Sequence, residues 1–300
     1  MVAEHSKTVS LVLGGGGARG LAHIGVIQWL TENGYIIRSI AGSSMGALVG
    51  GIYAASKLHV YAEWVLAIER MDVLRLLDPA FNRAGLFKGE RIIGVLRNLI
   101  GDCVIEDLPI SFTAVATNLR SGEEVWLREG KLFDAIRASI ATPLIFTPFQ
   151  HGARTLLDGA LVNPLPIAAV LDDTTDLTIA VNLSAPAEVR PPPPSAPTVS
   201  GGANRQRIRA FIERVLPART PSIRIRGPID IAFDSMQMMQ DTIARLTIAA
   251  NMHDVMVEIP RDACRFHEFW RAKELIALGR ERTARAFATH SRNWLARGLP

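Results

Sequence analysis

Cysteine, aromatic residues and charge of one sign are all scarce in this sequence. Cys103 and Cys264 are its two cysteines, far apart and without metal-ligand spacing, which excludes a disulfide-stapled scaffold and a zinc finger or ribbon. They read as ordinary thiols in a reducing compartment. Aromatic residues make up 6% of the chain and the formal net charge is +4. That charge is diffuse and no basic cluster is interleaved with aromatics, so the footprint of a nucleic-acid binder is missing. It is compatible with peripheral contact to an anionic membrane surface. No His, Asp or Glu cluster has ligand spacing, so neither metal nor cofactor is expected. Met1 to Ser10 contain no apolar signal-peptide core, and a cytoplasmic location is expected. No internal repeat is evident.

What the chain does have is apolar content, 48% of 300 residues, enough for a sizeable core in one large domain or a domain with an appendage. The organising stretch runs from Thr8 to Ser56. Val9 to Leu13 is a short β-favouring run that ends in Gly14-Gly15-Gly16-Gly17-Ala18-Arg19-Gly20. Leu21 to Leu30 is apolar almost all round, as a helix buried against a sheet would be, and Asn33-Gly34 is a stop signal. Tyr35 to Ala41 reads as a second buried strand. It leads straight into Gly42-Ser43-Ser44-Met45-Gly46, a G-x-S-x-G pentapeptide with Ser44 where strand would turn into helix. A serine nucleophile has to stand on a tight, strained turn, so its neighbours across the turn must be small. The following helix would aim its positive N-terminal end at the serine, where negative charge develops during attack. Gly46, Gly50 and Ala54 recur at a spacing of four, which lets that helix lie close to the sheet.

Other readings of the same residues compete. Gly15 to Gly20 also fits G-x-G-x-x-G, the dinucleotide fingerprint, but the acidic residue expected at the end of the second strand is replaced by Gly42-Ser43-Ser44. A P-loop would need Gly-Lys-Ser/Thr after the glycines, and none follows. Ser39 to Ser56 carries no charge and contains G-x-x-x-G, yet its glycine and serine content and the turn in its middle suit a buried soluble segment better than a membrane span. Glycines used for packing alone would leave Ser44 an ordinary turn serine.

The G-G-G-x-R-G loop, the G-x-S-x-G turn on the next strand, and a later Asp158-Gly159-Ala160 occur in the order that resembles the patatin-like phospholipase family. Ala138-Ser139-Ile140-Ala141-Thr142-Pro143 resembles the segment that normally precedes the third motif. The likeness covers Val9 to about Ser184, and more loosely Asp254 to Ala286. It implies an α/β three-layer sandwich, a mostly parallel central sheet flanked by helices. It also implies a Ser-Asp dyad without histidine, in which Asp158 is the general base for Ser44. In that mechanism the backbone N–H groups of Gly15, Gly16 and Gly17 hold the oxyanion. Arg19 and Gly20 position the loop, Gly42 and Gly46 shape the elbow, and Gly159 and Ala160 form the turn after the base. The implied substrate is a lipid carboxylic ester of the phospholipid or lysophospholipid type. A catalytically silent lipid-binding protein on the same fold is the alternative, and a nucleotide binder a weaker one. Without the resemblance, His151, His253, His267 and His290 would be searched for a third catalytic member. His23 is read as a packing residue and His59 as a surface one.

Elsewhere, Val60 to Glu69 and Gly89 to Ile100 have helical periodicity. Trp64 and Phe87 are read as core rather than lipid contacts. Ser111 to Thr117 reads as a central strand paired in a hairpin with Glu123 to Leu127, and Leu132 to Ser139 as a helix. Leu144 to Phe149 is either an acyl-chain wall or a core strand. Arg154 to Leu157 is a short strand delivering Asp158. Ile167 to Leu171 reads as a helix and Leu177 to Leu183 as a buried strand. The expected division is a catalytic α/β domain over residues 5–184, a Pro-rich mobile linker over 185–222, and a mainly helical C-terminal region over 223–300 packed on the catalytic domain. The linker contains Pro191 to Pro194 and the basic amphipathic segment Arg205 to Leu216. In the last region Ile229 to Ala250 reads as a long helix and Val255 to Ile259 as a late strand. Trp270 to Ala296 reads as a helix interrupted near Gly279.

Overall fold

Short apolar runs rich in valine and isoleucine alternate with longer helical patterns, and the chain folds as that alternation dictates. A computed structural model describes residues 6–80, 85–188 and 227–296. Among the described residues eight strands form one sheet: β1 (Thr8–Leu13), β2 (Ile36–Ser43), β3 (Ser111–Asn118), β4 (Glu124–Leu127), β5 (Phe149–His151), β6 (Arg154–Asp158), β7 (Leu177–Ala185) and β8 (Val255–Pro260). The parallel part is ordered β3-β2-β1-β7-β8. β4 and β6 both pair with β3 antiparallel, and β5 pairs with β6. The late strand expected near Val255 therefore joins the sheet, on the free side of β7.

Helices α1 (Ala22–Glu32), α2 (Met45–Ala54), α3 (Leu58–Ala67), α4 (Arg70–Leu76), α5 (Glu90–Ile100) and α6 (Leu132–Ser139) precede β5, while α7 (Pro228–Ala250) and α8 (Ala272–Ala296) flank β8. Alternation along the strands sorts the core into two unequal parts. Leu11, Leu13, Ile40, Ile179 and Val181 face the larger part with α1, α2 and α6. Val12, Ala41 and Ala180 face the thinner one, covered by Leu165, Ile167 and Val170, with Ile248 of α7 packed on it. The sheet is thus buried on both sides, as a mostly parallel sheet must be.

Two expectations change and one pair of alternatives is narrowed. Ile167 to Leu171 is not an α-helix but a 3₁₀ segment, Ile167–Val170, its entry constrained by Pro164 and Pro166. Leu144 to Thr147 form no strand, and Phe149 alone of that run opens β5. α8 runs unbroken through Gly279. A methyl group there would lie 2.0 Å from the Ala22 carbonyl oxygen, and one on Gly25 would lie 1.9 Å from the Ile276 carbonyl oxygen. These two glycines let α1 and α8 cross at backbone contact. The Pro191 to Pro194 run and the Arg205 to Leu216 segment lie outside the described residues.

Candidate active site

Ser44 stands at the carboxyl end of β2, on a turn whose backbone is forced. Its φ is 54° and ψ −122°, a conformation an L-residue adopts only where its surroundings over-determine it. The flanking glycines explain why the turn closes. A methyl on Gly42 would sit 2.4 Å from the Gly46 carbonyl carbon, and one on Gly46 1.9 Å from the Leu13 carbonyl oxygen. α2 begins directly after Ser44, which is its N-cap residue. At Gly50 a methyl would meet the Ile40 side chain at 2.7 Å, so the spacing of small residues does bring α2 close against the sheet.

The register of β3 carries the second half of the site. β4 occupies one edge of β3 from Ala114 to Thr117. On the other edge β2 pairs as far as Val115, and β6 takes over from Ala116, which lies opposite Asp158. β2 and β6 therefore approach end to end along one edge, and Ser44 and Asp158 meet where they stop. The Ser44 hydroxyl donates to Asp158 Oδ2 at 2.8 Å. Thr142 Oγ1 donates to the same oxygen at 2.5 Å, and the Ala160 N–H donates to Oδ1 at 2.9 Å. Gly159 fits because its α-carbon presses on Val115, whose carbonyl oxygen a methyl would approach to 2.1 Å. Asp158 is 2% exposed. Burial pushes its carboxyl up to about 6, against the opposing pull of the hydrogen bonds from Thr142, Ala160 and Ser44. At neutral pH it is mostly ionised and able to accept the serine proton.

The glycine loop leaves the end of β1 beside this pair, at the carboxyl ends of the parallel strands where open α/β sheets bind ligands. Its amides are not equivalent. The Gly15 N–H donates to the Pro164 carbonyl at 2.9 Å, so it is committed to the backbone and not free to meet an oxyanion, contrary to the expectation for that residue. Its role is close approach: a methyl there would lie 2.7 Å from Ala160 Cβ and 3.3 Å from Ser44 Cβ. Gly16 and Gly17 have no such amide partner among the described residues. Gly17 adopts φ +57°, and a methyl on it would strike the Phe266 ring at 2.4 Å. Arg19 is buried and donates to the carbonyls of Gly16 and Arg261 and to Gln237, so it anchors the loop rather than facing the site. Gly20 admits Met45, whose Cβ a methyl would approach to 2.4 Å.

His23 is fully buried, with Nε2 2.8 Å from the Gly14 carbonyl. A carbonyl only accepts, so Nε2 carries the proton, and Nδ1 has no partner. Burial pushes the ring down to about 4, so it is a neutral support under the loop. Among the described residues no histidine hydrogen-bonds to Ser44 or Asp158. His59 is exposed, His151 lies on the exposed β5, and His267 lines the cavity without touching the pair.

An apolar cavity of about 280 Å³ opens over Ser44. Leu48, Trp64, Ile145, Phe146 and Phe266 form much of its wall, and Phe87, expected in the core, also faces it. Trp64 both packs on the core and lines the cavity. The Leu144 to Phe149 run therefore contributes wall residues, Ile145 and Phe146, rather than a core strand. Arg137, buried under that wall, donates to the carbonyls of Lys88 and Thr147 and so joins the two loops carrying Phe87 and Phe146. Among the described residues no group of three His, Cys, Asp or Glu side chains could hold a metal ion, and no helix is long and apolar enough to cross a membrane.

Sequence reasoning gave no role to Ser139, Thr142 or Phe266. Ser139 Oγ accepts the Ser44 N–H at 2.9 Å and donates to the Val115 carbonyl at 2.6 Å, which fixes the elbow and leaves the Ser44 amide occupied. Both hydroxyls lie in the Ala138 to Pro143 stretch already singled out by resemblance. Their position before the Asp-Gly-Ala turn was the available signal. Phe266 had none, because its contact comes from 249 residues further along the chain than Gly17.

The model of a family described as patatin-like phospholipase matches residues 11–171. The chain is 37% identical over 324 aligned positions to an uncharacterized NTE family protein of Mycobacterium tuberculosis, with 92% of this chain and 90% of the relative covered. It is 31% identical over 181 positions to a lysophospholipase of Emericella nidulans, with 59% of this chain and 12% of that much longer protein covered. Among solved structures it is similar to VipD from Legionella pneumophila at 12% identity and a TM-score of 0.43, with 96% of this chain and 68% of that one covered.

Proposed function

This chain belongs to the patatin-like phospholipase family, and from that premise we propose that it is a serine lipid acyl hydrolase cleaving carboxylic esters of phospholipids or lysophospholipids. The observation that carries the reading is the 2.8 Å hydrogen bond from Ser44 to the buried Asp158, placed at the end of an apolar cavity. As an acyl chain occupies the cavity, its ester carbonyl comes to rest over Ser44. Asp158 Oδ2 takes the hydroxyl proton while Ser44 Oγ bonds to the carbonyl carbon. The amides of Gly16 and Gly17 receive the oxyanion, a service whose loss typically costs on the order of a hundredfold or more in turnover. Collapse of the tetrahedral adduct breaks the ester C–O bond, and Asp158 returns the proton to the departing alcohol. Water then attacks the acyl-serine, giving its proton to Asp158, and the fatty acid leaves with Ser44 restored. An aspartate serves here without histidine because desolvation raises its basicity into the useful range.

A fluorophosphonate probe, applied to wild type, Ser44→Ala and Asp158→Asn, tests the assignment. Labelling of wild type is expected, with none in Ser44→Ala and a loss of at least roughly a hundredfold in rate for Asp158→Asn. Release of fatty acid from a panel of diacyl and lysophospholipids then selects the substrate. Folded wild type that neither labels nor hydrolyses any lipid ester would instead make the protein a silent lipid binder.

A further inference from the structure

α4 is apolar on two opposite sides. Val73 and Leu76, followed by Leu77 just past its end, turn into the cavity. Met71 and Leu74 point the other way and are 58% and 57% exposed. No residue of the helix is buried. It is held by its Glu69/Asp72 capping box, by Arg91 reaching the Arg75 and Leu77 carbonyls, and by Arg70 lying 5.3 Å from the Trp270 ring. An amphipathic surface helix normally keeps its apolar residues on the covered face, and here Met71 and Leu74 lie off that face and are not covered by the described protein.

Two further exposed leucines extend the same rim. The Phe87 N–H donates to the Ile145 carbonyl at 2.8 Å, which sets Leu86 and Leu144 on neighbouring segments of the cavity wall, both exposed. Leu144 adopts φ 69°, a conformation strained for a leucine. Strain of this kind persists where a side chain's placement is constrained, and here it leaves a large apolar group in water. Among the described residues from 69 to 91 the charges do not favour an anionic partner: Arg70, Arg75, Lys88 and Arg91 are matched by Glu69, Asp72, Asp78 and Glu90, and Arg75 pairs with Asp72 at 3.2 Å.

We propose that Met71, Leu74, Leu86 and Leu144 are the surface by which the protein enters a lipid–water interface, the outer side of α4 lying among acyl chains while its inner side roofs the cavity. The occupant is identified by continuity: the exposed rim and the apolar cavity above Ser44 share α4 and the Phe87/Ile145 pair, so acyl chains around the outer side of α4 lie one helix away from the cavity. This inference rests on the reading of the cavity as an acyl site. Because the rim charges balance, attachment is apolar in origin and needs no anionic lipid.

Flotation with phosphatidylcholine vesicles at low and high salt tests it, comparing wild type with Met71→Ser/Leu74→Ser and with Leu144→Asn, asparagine being tolerant of positive φ. Wild type is expected to bind, with little loss as salt rises. The double variant should bind roughly tenfold more weakly or worse, and should label with a soluble fluorophosphonate at the wild-type rate, which shows it folded. Undiminished binding of that variant would overturn the proposal. So would binding confined to anionic vesicles and abolished by salt, or a concentration-dependent dimer that the double variant disrupts in the absence of vesicle binding. Vesicle binding through these residues by a wild type that does not label would retain the surface and sink the hydrolase; labelling without vesicle binding would do the reverse.

Discussion

At the scale of single residues the site is governed by Asp158. Its carboxyl is raised from 3.8 to about 6 mainly by burial, so this group contributes stability that is present below the unfolded value and lost as pH rises through the folded one. His23 works in the opposite sense: with its folded value near 4 rather than 6.5, its contribution is present above 6.5 and lost as pH falls through 4. The molecule therefore carries Asp158 at neutral pH at a cost, which fits a group kept for chemistry. In the proposed mechanism Asp158 acts as its carboxylate, so the rate of Ser44 labelling should fall on acidification with a midpoint near 6. Thr142 is the lever on that midpoint, since its hydrogen bond lowers the Asp158 value. In Thr142→Val the midpoint should rise by roughly one pH unit, the equivalent of one lost hydrogen bond to a charge. A rate-versus-pH profile that keeps its midpoint while losing amplitude would assign Thr142 to packing alone.

At the scale of elements, the contact between α1 and α8 is the clearest consequence of small residues. Gly25 and Gly279 bring the two backbones together. Around that crossing Trp29, Tyr35 and Phe287 pack ring against ring at 4.9–6.2 Å, and Arg280 pairs with Glu32. Gly279→Ala must push α8 away from the Ala22 carbonyl, and a loss of about 1–3 kcal/mol is expected, the range for an overpacked core. Urea unfolding measures it. An unchanged midpoint would mean that α8 shifts freely, in conflict with the crossing. This glycine also illustrates what a single sequence conveys. Gly42 is legible because its reason lies within five residues, where a methyl would strike the Gly46 backbone, while Gly46 is legible from the pentapeptide although its close approach is to Leu13 of β1. Gly279 reads as a break in a helical pattern because its reason lies in α1, some 250 residues earlier. Ser44 reads from its local pentapeptide, whereas Asp158 reads only through the resemblance that the order of three motifs carries. The pairing of their strands, β2 and β6, along one edge of β3, and hence the parts played by Ser139 and Thr142, depends on a register that no local pattern encodes. Gly15 fails as a donor for the same reason: Pro164 takes its amide, and only the folded chain brings the two together.

At the scale of the whole molecule, the C-terminal region is built into the site. β8 extends the sheet beside β7. The turn after β8 supplies the Arg261 carbonyl to Arg19 and the Phe266 carbonyl to the Ala18 N–H, while Gln237 of α7 holds the other end of the same guanidinium. The glycine loop from the first strand is thus shaped by residues from the last third of the chain. Arg19→Met separates this coupling from mere stability. Burying the guanidinium is unfavourable, as its lowered pKa reflects, and an apolar replacement of similar length removes that penalty together with the hydrogen bonds, so the change in unfolding free energy should stay within about 2 kcal/mol. The loop, by contrast, loses its tie to the Gly16 carbonyl and to Arg261, and the Gly16 and Gly17 amides are no longer aimed. Fluorophosphonate labelling should therefore fall on the order of tenfold to a hundredfold in a variant that remains folded. Hydrogen exchange should quicken together at Ala18 and in the 261–266 turn, because each holds the other. A variant that labels at the wild-type rate, with exchange altered on one side only, would mean that the glycine loop is set by the first half of the chain alone and that the C-terminal region merely covers it.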